Sequence, residues 1–433
     1  MNAFYHGDCL FVMKHDIEPE SVDLIYLDPP FFTGKIQKGT KKWQPGAMEI
    51  SFEDSKRFWS EKAEEMRKKA PEWLRYIALK RPDFASYLWY MMERLQACHK
   101  VLKKTGSIYL HCDYRASHYL KMVMDEIFGN NNSRNEVIWY KNSGGIGRTS
   151  FNKRHDTLLN YSKTGKYFYN GKAVGDLREQ EEGTFGGYFG VDSNGRKYRE
   201  VRKGGKVYKY YMDEPKNPDD VWTVPQIPER DKTERVGYPT QKPEALLQRI
   251  IKASSNEEDL VLDPFCGCGT AVIVASKLNR KFIGIDINTS ERKKGELPTA
   301  FSVIKNRSHK LFAETRYISR DLSEVLEMDS RQFENWVNEF YRANKPSPDR
   351  GVDGITQDGI PIQVKTFNIG YKVLSQFITD AKYHPKTAKP IKKVIVASQV
   401  GFDDGARSRK FEIETNEDIE IVLTTPEDML KLE

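Results

Sequence analysis

Short apolar runs alternate with stretches whose apolar residues recur every three or four positions, and that alternation predicts an α/β sheet over residues 1–140. Val22-Asp23-Leu24-Ile25-Tyr26-Leu27 is an apolar run closed by Asp28-Pro29-Pro30, through which no helix continues, so it reads as a strand. From Asp83, a candidate N-cap, apolar side chains recur at Phe84, Leu88, Met91, Leu95, Cys98 and Leu102. Those gaps mark one face of a helix. Ser107–His111 reads as a strand, His118–Ile127 as a helix and Glu136–Tyr140 as a strand.

From 141 to 235 the texture changes. Glycine, aromatic and basic residues crowd together, as in Gly186-Gly187-Tyr188-Phe189-Gly190 and Lys203-Gly204-Gly205-Lys206-Val207-Tyr208-Lys209-Tyr210-Tyr211, with little periodicity. The α/β pattern returns over 236–290, with a helix Pro243–Ala253 and strands Leu260–Leu262 and Lys281–Ile285. A charged stretch, 291–330 (opening near Ser290), reads as a linker to a last α/β segment, 331–433.

A chain of 433 residues with 38% hydrophobic and 12% aromatic content can build two or three cores. No stretch approaches the roughly 18 apolar residues of a membrane span. The start Met1-Asn2-Ala3-Phe4-Tyr5-His6 lacks the pattern of a secretion signal, and five irregularly spaced cysteines suit a reducing compartment, so a cytoplasmic protein is expected. Lys plus Arg number 69 against 62 Asp plus Glu, a net +7 that permits nucleic-acid binding without requiring it.

Two motifs carry chemistry. Leu260-Val261-Leu262-Asp263-Pro264-Phe265-Cys266-Gly267-Cys268-Gly269-Thr270 is a strand, a glycine turn and a helix start. Gly267 and Gly269 let a ligand approach the backbone amides, and Asp286 closes the next strand where a carboxylate can hold ribose hydroxyls. An ordinary strand–helix turn has the same pattern. The three-glycine dinucleotide fingerprint is missing, and Cys266 and Cys268 have no second pair nearby for a metal.

Asp28-Pro29-Pro30-Phe31 follows a strand and so sits where α/β sheets bind ligands, although Asp-Pro-Pro is also a common turn. An exocyclic amino nitrogen is a poor nucleophile because its lone pair is delocalised into the ring. Asp28 and a backbone carbonyl stiffened by Pro29 and Pro30 can accept its two N–H groups and free that lone pair, while Phe31 stacks on a base rotated out of the duplex.

Together the motifs resemble those of amino-methylating DNA methyltransferases of the N6-adenine and N4-cytosine kind, in the permuted order with Asp-Pro-Pro-Phe first. The resemblance runs from about Phe4 to Asn288 and includes Phe31-Phe32-Thr33-Gly34. It implies a Rossmann-like fold that binds S-adenosylmethionine. Asp8 of Gly7-Asp8, with Cys9 beside it, would hold the cofactor's adenine and Asp286 its ribose. Asp263, Phe265 and Gly267 would surround the methionine moiety, Lys242 of Tyr238-Pro239-Thr240-Gln241-Lys242-Pro243 would line the methionine end, and Gly269 and Thr270 would also bind the cofactor. Region 141–235 stands in the place of a target-recognition domain for double-stranded DNA, and a solvated surface insertion is the alternative. Asp at position 28 is more usual for adenine than for cytosine. An RNA methyltransferase, a non-catalytic DNA-binding protein and a homodimer stay open at this point.

In the last segment, Asp353 of Arg350-Gly351-Val352-Asp353-Gly354-Ile355 precedes Gln363-Val364-Lys365 across an expected hairpin, and strands Lys393–Ala397 and Ile419–Leu423 follow with a helix between. This resembles the Mrr-like branch of the restriction-endonuclease fold. It implies that Asp353 and Gln363 bind Mg²⁺ and that Lys365 stabilises the developing negative charge. A neutral amide is a weak ligand for that hard cation. The pairing suggests a restriction–modification fusion in which one chain marks and cuts DNA, with a non-cleaving DNA-binding or degenerate domain as the alternative.

Overall fold

The computed structural model describes residues 2–35, 37–38, 51–52, 54, 56–61, 66, 68–141, 149–175, 188–228, 230–231, 233–238, 240–287, 299–347 and 351–431. Gly186, Gly187, Pro239, Asn288, Ser290 and Arg350, singled out above, lie outside them. The chain divides into two units, 1–318 and 319–433.

In the first unit, nine strands among the described residues form one mixed sheet. Its order is Val221–Thr223, Ser133–Tyr140, His155–Ser162, Leu102–Cys112, Val22–Leu27, Leu260–Asp263, Lys281–Asp286, Ala3–His6 and Arg316–Ser319. The five from Leu102–Cys112 to Ala3–His6 run parallel, whereas His155–Ser162 is antiparallel to both of its neighbours. Strand Val22–Leu27 explains its own apolar run. Ile25 and Leu27 enter a core with helices Cys9–His15, Pro82–Val101 and Ser117–Phe128, while Leu24 and Tyr26 enter another with Glu244–Ser254 and Thr270–Lys277. Both faces are covered, as in parallel sheets generally.

Three expectations change. Arg81, not Asp83, is the N-cap of helix Pro82–Val101, because Pro82 fills the first helical turn and Asp83 lies inside it. Region 141–235 is not one inserted segment, since His155–Ser162 is a buried strand of the main sheet and Val221–Thr223 its edge. Strict alternation is missing from His155–Ser162 because Asp156, Asn160 and Ser162 are buried along with Leu158 and Tyr161. Region 291–330 is not only a linker: helix Thr299–Arg307 buries Ala300, Phe301 and Ile304, the last two worth up to about 3 kcal/mol each. Among the described residues of the insertion, Tyr188–Val191, Lys197–Lys203 and Lys206–Tyr211 form a separate antiparallel sheet. Gly204 and Gly205, both at positive φ, make its two-residue turn.

The second unit is a four-stranded sheet, ordered Gly354–Ile355, Pro361–Lys365, Lys393–Ser398 and Glu420–Thr424, antiparallel in the first pair and parallel thereafter. Ile362, Val364 and Ile395 face Phe333, Trp336 and Val337 of helix Ser330–Phe340, which a reciprocal Asp329–Gln332 capping box begins. Val394, Val396 and Ile421 pack on the opposite side with Leu374, Phe377 and Ile378 of helix Tyr371–Tyr383 and Ile413 of helix Asp404–Glu417.

Candidate active site

The parallel strands deliver acidic residues to one edge. Their register pairs His6 with Asp286, Asp263 with Gly284, Leu262 with Ile25, and Leu27 with Leu110. Asp8, Asp28, Asp263 and Asp286 therefore all lie at the carboxyl ends of their strands, the edge at which α/β sheets bind ligands.

The glycine turn is built from backbone bonds. Asp263 Oδ1 accepts from the Phe265 amide at 3.1 Å, the Gly267 amide donates to Asp286 Oδ2 at 2.7 Å, and the Cys266 amide donates to the Ile285 carbonyl at 2.8 Å. Gly267 and Gly269 adopt φ +49° and +76°, where side chains are strained. A Cβ on Gly267 would meet the Tyr238 ring at 3.1 Å, and one on Gly269 would meet Ile304 at 2.6 Å. Burial pushes the Asp263 carboxyl well above the usual range despite the Phe265 amide, and the Asp28 and Asp286 charges push the same way. Burial likewise raises the Cys266 and Cys268 thiols, so both are protonated.

Arg307, inside the expected linker, clamps this turn. Nη1 donates to the Cys268 carbonyl at 2.9 Å and Thr270 Oγ1 at 3.1 Å, while Nη2 reaches Glu244 Oε1 at 3.1 Å. Asp8 caps helix Cys9–His15 through the Leu10 amide at 2.7 Å and pairs with buried Arg94 at 2.5 Å. Arg94 in turn lies 3.4 Å from the Tyr90 ring centroid. The Cys9 thiol is packed in the core, and burial pushes it up to about 12.

At the reactive corner Lys242, expected at the methionine end, also meets Asp28. Its ammonium donates to Asp28 Oδ2 and, at 3.1 Å, to the Thr240 carbonyl, and it stands 5.2 Å from the Phe31 ring. Lys242 therefore joins the Asp28 corner to the glycine turn, where its charge also acts on Asp263 and Cys268. Pro29 is buried, while Pro30 and Phe31 are half-buried. Phe32, at φ +53°, turns inward against Phe84 and Tyr87 and leaves Phe31 facing the His111 ring at 5.5 Å. Buried Asp54 fixes the turn by accepting from the Thr33 amide at 2.6 Å and from Trp59 Nε1 at 3.0 Å.

Behind Asp28 lies a buried network that motif reading missed. His111 Nδ1 is 2.9 Å from the Tyr26 hydroxyl, and Nε2 is 3.2 Å from Asp156 Oδ2. Lys141 donates to Asp156 Oδ1 at 2.6 Å. Burial and the Lys242 charge lower the proton affinity of His111. Burial alone would raise Asp156, but its bonds from His111 and Lys141 hold it below the usual carboxylate range. Asp28 Oδ1 is buried with no hydrogen-bond partner among the described residues.

In the second unit, Asp353 Oδ2 accepts from Gln363 Nε2 at 2.7 Å, the Val364 amide at 2.7 Å and Lys365 Nζ at 3.4 Å. The hairpin thus brings together the three residues expected to meet. Among the described residues no group of three or more His, Cys, Asp or Glu side chains is arranged to hold a metal ion. One carboxylate oxygen ringed by three N–H donors does not fit the oxygen shell that Mg²⁺ demands. No helix among the described residues is long and apolar enough to cross a membrane.

Residues 22–295 match the family model for DNA methylases of the N6/N4 type. The chain is 31% identical over 293 residues to DNA adenine methyltransferase YhdJ of Escherichia coli K12, spanning 67% of this chain and 80% of that protein. It is 34% identical over 224 residues to the type II methyltransferase M.HpaI of Haemophilus parainfluenzae, spanning 51% of this chain and 62% of that protein. Among solved structures, PvuII DNA methyltransferase (cytosine-N4-specific) aligns with TM-score 0.43 at 14% identity, over 73% of this chain and 95% of that one.

Proposed function

The chain belongs to the N6/N4 DNA methylase family, and from that premise we propose that it methylates the exocyclic amino group of adenine in double-stranded DNA, using S-adenosylmethionine. The observation that carries this reading is the sharing of one sheet edge by Asp28 and the Asp263–Asp286 glycine turn. Bound S-adenosylmethionine supplies an electrophilic methyl group. Asp8, Cys9, Asp263, Phe265, Gly267, Gly269, Thr270 and Asp286 would hold it, Cys9 through its backbone because its thiol is in the core. The positive-φ glycines suit a cradle in which backbone approaches ligand closely. Asp28 accepts an amino hydrogen of the target, and Phe31 stacks on the base.

Adenine rather than N4-cytosine rests on Asp at position 28 and on the adenine specificity that YhdJ's name states. The motif order is read as the permuted one, with Asp28 ahead of Gly267. The basic, aromatic sheet at 188–211 is read as the recognition element, with exposed Tyr188, Tyr208 and Tyr210 among Lys and Arg. The type II name of M.HpaI supports a place in restriction–modification. The second unit is read as Mrr-like and as holding DNA rather than cutting it, because the donors around Asp353 do not make a divalent-cation site. Transfer of labelled methyl from S-adenosylmethionine to unmodified genomic DNA tests the main reading. Asp28→Ala is expected to lose roughly 10²–10³ in rate while still binding cofactor. Wild-type turnover by that variant would overturn the assignment. Incubation of the same DNA with Mg²⁺ or Mn²⁺ tests the second unit, and cleavage abolished by Asp353→Ala and Lys365→Ala would restore the fused-nuclease reading.

A further inference from the structure

Resting on the reading of Asp28 as acceptor for the target amino group, we propose that the acceptor is Oδ1 alone, and that His111, held by Asp156 with its proton on Nε2, is the positioning residue that keeps this oxygen open. The two oxygens of Asp28 differ. Oδ2 takes the Lys242 ammonium, whereas Oδ1 is shut away from solvent with no partner among the described residues. A buried carboxylate oxygen without a donor is costly and rare, and such an exception calls for an explanation.

His111 Nδ1 stands 3.9 Å from Oδ1, close enough that a small shift would let an Nδ1–H group cap it. The surrounding groups prevent this. Asp156 is held ionised by His111 and Lys141, and a carboxylate only accepts, so the imidazole proton sits on Nε2. Burial and Lys242 keep the ring neutral, so Nδ1 carries only a lone pair, to which the Tyr26 hydroxyl donates. Tyr26, Asp28, Asp156 and Lys242 are the titratable or charged groups facing the ring, and Phe31 and Trp139 cover it at 5.5 Å each. With Nδ1 committed as an acceptor, the Oδ1 lone pairs are satisfied only when an amino hydrogen arrives.

The lock should fail if Asp156 becomes an amide. In Asp156→Asn the amide N–H can donate to Nε2, which moves the imidazole proton to Nδ1 and aims it at Oδ1. Single-turnover methylation of unmodified bacterial genomic DNA by the full chain is expected to slow by about 100-fold in Asp156→Asn. Cofactor affinity should be unchanged, because the glycine turn is not altered. Nitrogen-15 shifts of the wild-type histidines, with His111 assigned by its absence in His111→Asn, should show the proton on Nε2. Wild-type transfer by Asp156→Asn, or a wild-type proton on Nδ1, would overturn the proposal. The tautomer measurement needs no folded Asp156 variant. Activity in Asp28→Ala would instead overturn the reading beneath it, so the two failures are distinguishable.

Discussion

Replacing Arg307 by methionine should loosen the glycine turn and free the hydroxyl of Thr270, one of the residues proposed to hold the cofactor. The Arg307 side chain is 7% exposed, and its guanidinium bonds to the Cys268 carbonyl, Thr270 Oγ1 and Glu244 Oε1. Hydrogen bonds involving a charged group are worth about 1.5–3 kcal/mol each, and stripping one partner from a buried ion pair costs about 3–5 kcal/mol. Glu244 is 17% exposed and keeps Lys277 at 2.6 Å, which moves the cost to the low end. About 3 kcal/mol is expected. At roughly 2.1 cal/mol/K per residue, a unit spanning 1–318 should melt about 4–5 °C lower, as read by scanning calorimetry. Cofactor affinity should fall about tenfold, or 1.4 kcal/mol, by isothermal titration. Lys277→Ala, which breaks only the more exposed pair, should change stability by less than about 1 kcal/mol. Unchanged melting and affinity in Arg307→Met would refute the argument that this side chain holds the turn.

Truncation after residue 290 should leave the first unit unfolded in circular dichroism, because it removes buried Phe301, Ile304 and Arg307, whereas truncation after Asp321 should leave its sheet intact. Equal folding of both would contradict the assignment of 299–318 to that core. Gly269→Ala should cost about 2–4 kcal/mol in urea denaturation, combining left-handed backbone strain with overpacking against Ile304 at 2.6 Å. Gly195→Ala, with φ +80° but open space, should cost about 1–2 kcal/mol from strain alone. Asp263 is raised in the folded state, so its contribution to stability is present below the unfolded value near 3.8 and lost as pH rises through the folded one. A cationic cofactor favours the ionised form, so binding at mildly acidic pH should release a proton. Titration heats that do not depend on the buffer's ionisation enthalpy would contradict this.

Much of the first unit was legible because its information is local. The run ending at Asp28-Pro29-Pro30 and the turn around Gly267 each announce a strand end, and parallel pairing then carries both to one edge. The residues that tune the site were not legible, because their partners are distant in sequence. Lys242 meets Asp28, Arg94 meets Asp8, and His111 meets Asp156 only once the sheet has formed. Arg307 was hidden in a charged stretch whose three buried apolar positions, Ala300, Phe301 and Ile304, are too few to stand out as a helical face. Strand His155–Ser162 eluded pattern reading because it buries polar as well as apolar side chains. The Asp353–Lys365 pairing was legible because a short hairpin joins the two residues, yet spacing could not reveal that Gln363 offers its amide N–H to the carboxylate.

The most direct test of the account is nucleoside mass spectrometry of unmethylated duplex DNA incubated with the purified chain and S-adenosylmethionine carrying a deuterated methyl group. N6-methyladenine bearing the label is expected, formed roughly 10²–10³ more slowly with Asp28→Ala. Label in N4-methylcytosine would overturn the choice of base. No labelled nucleoside from protein shown to bind the cofactor would contradict the central claim.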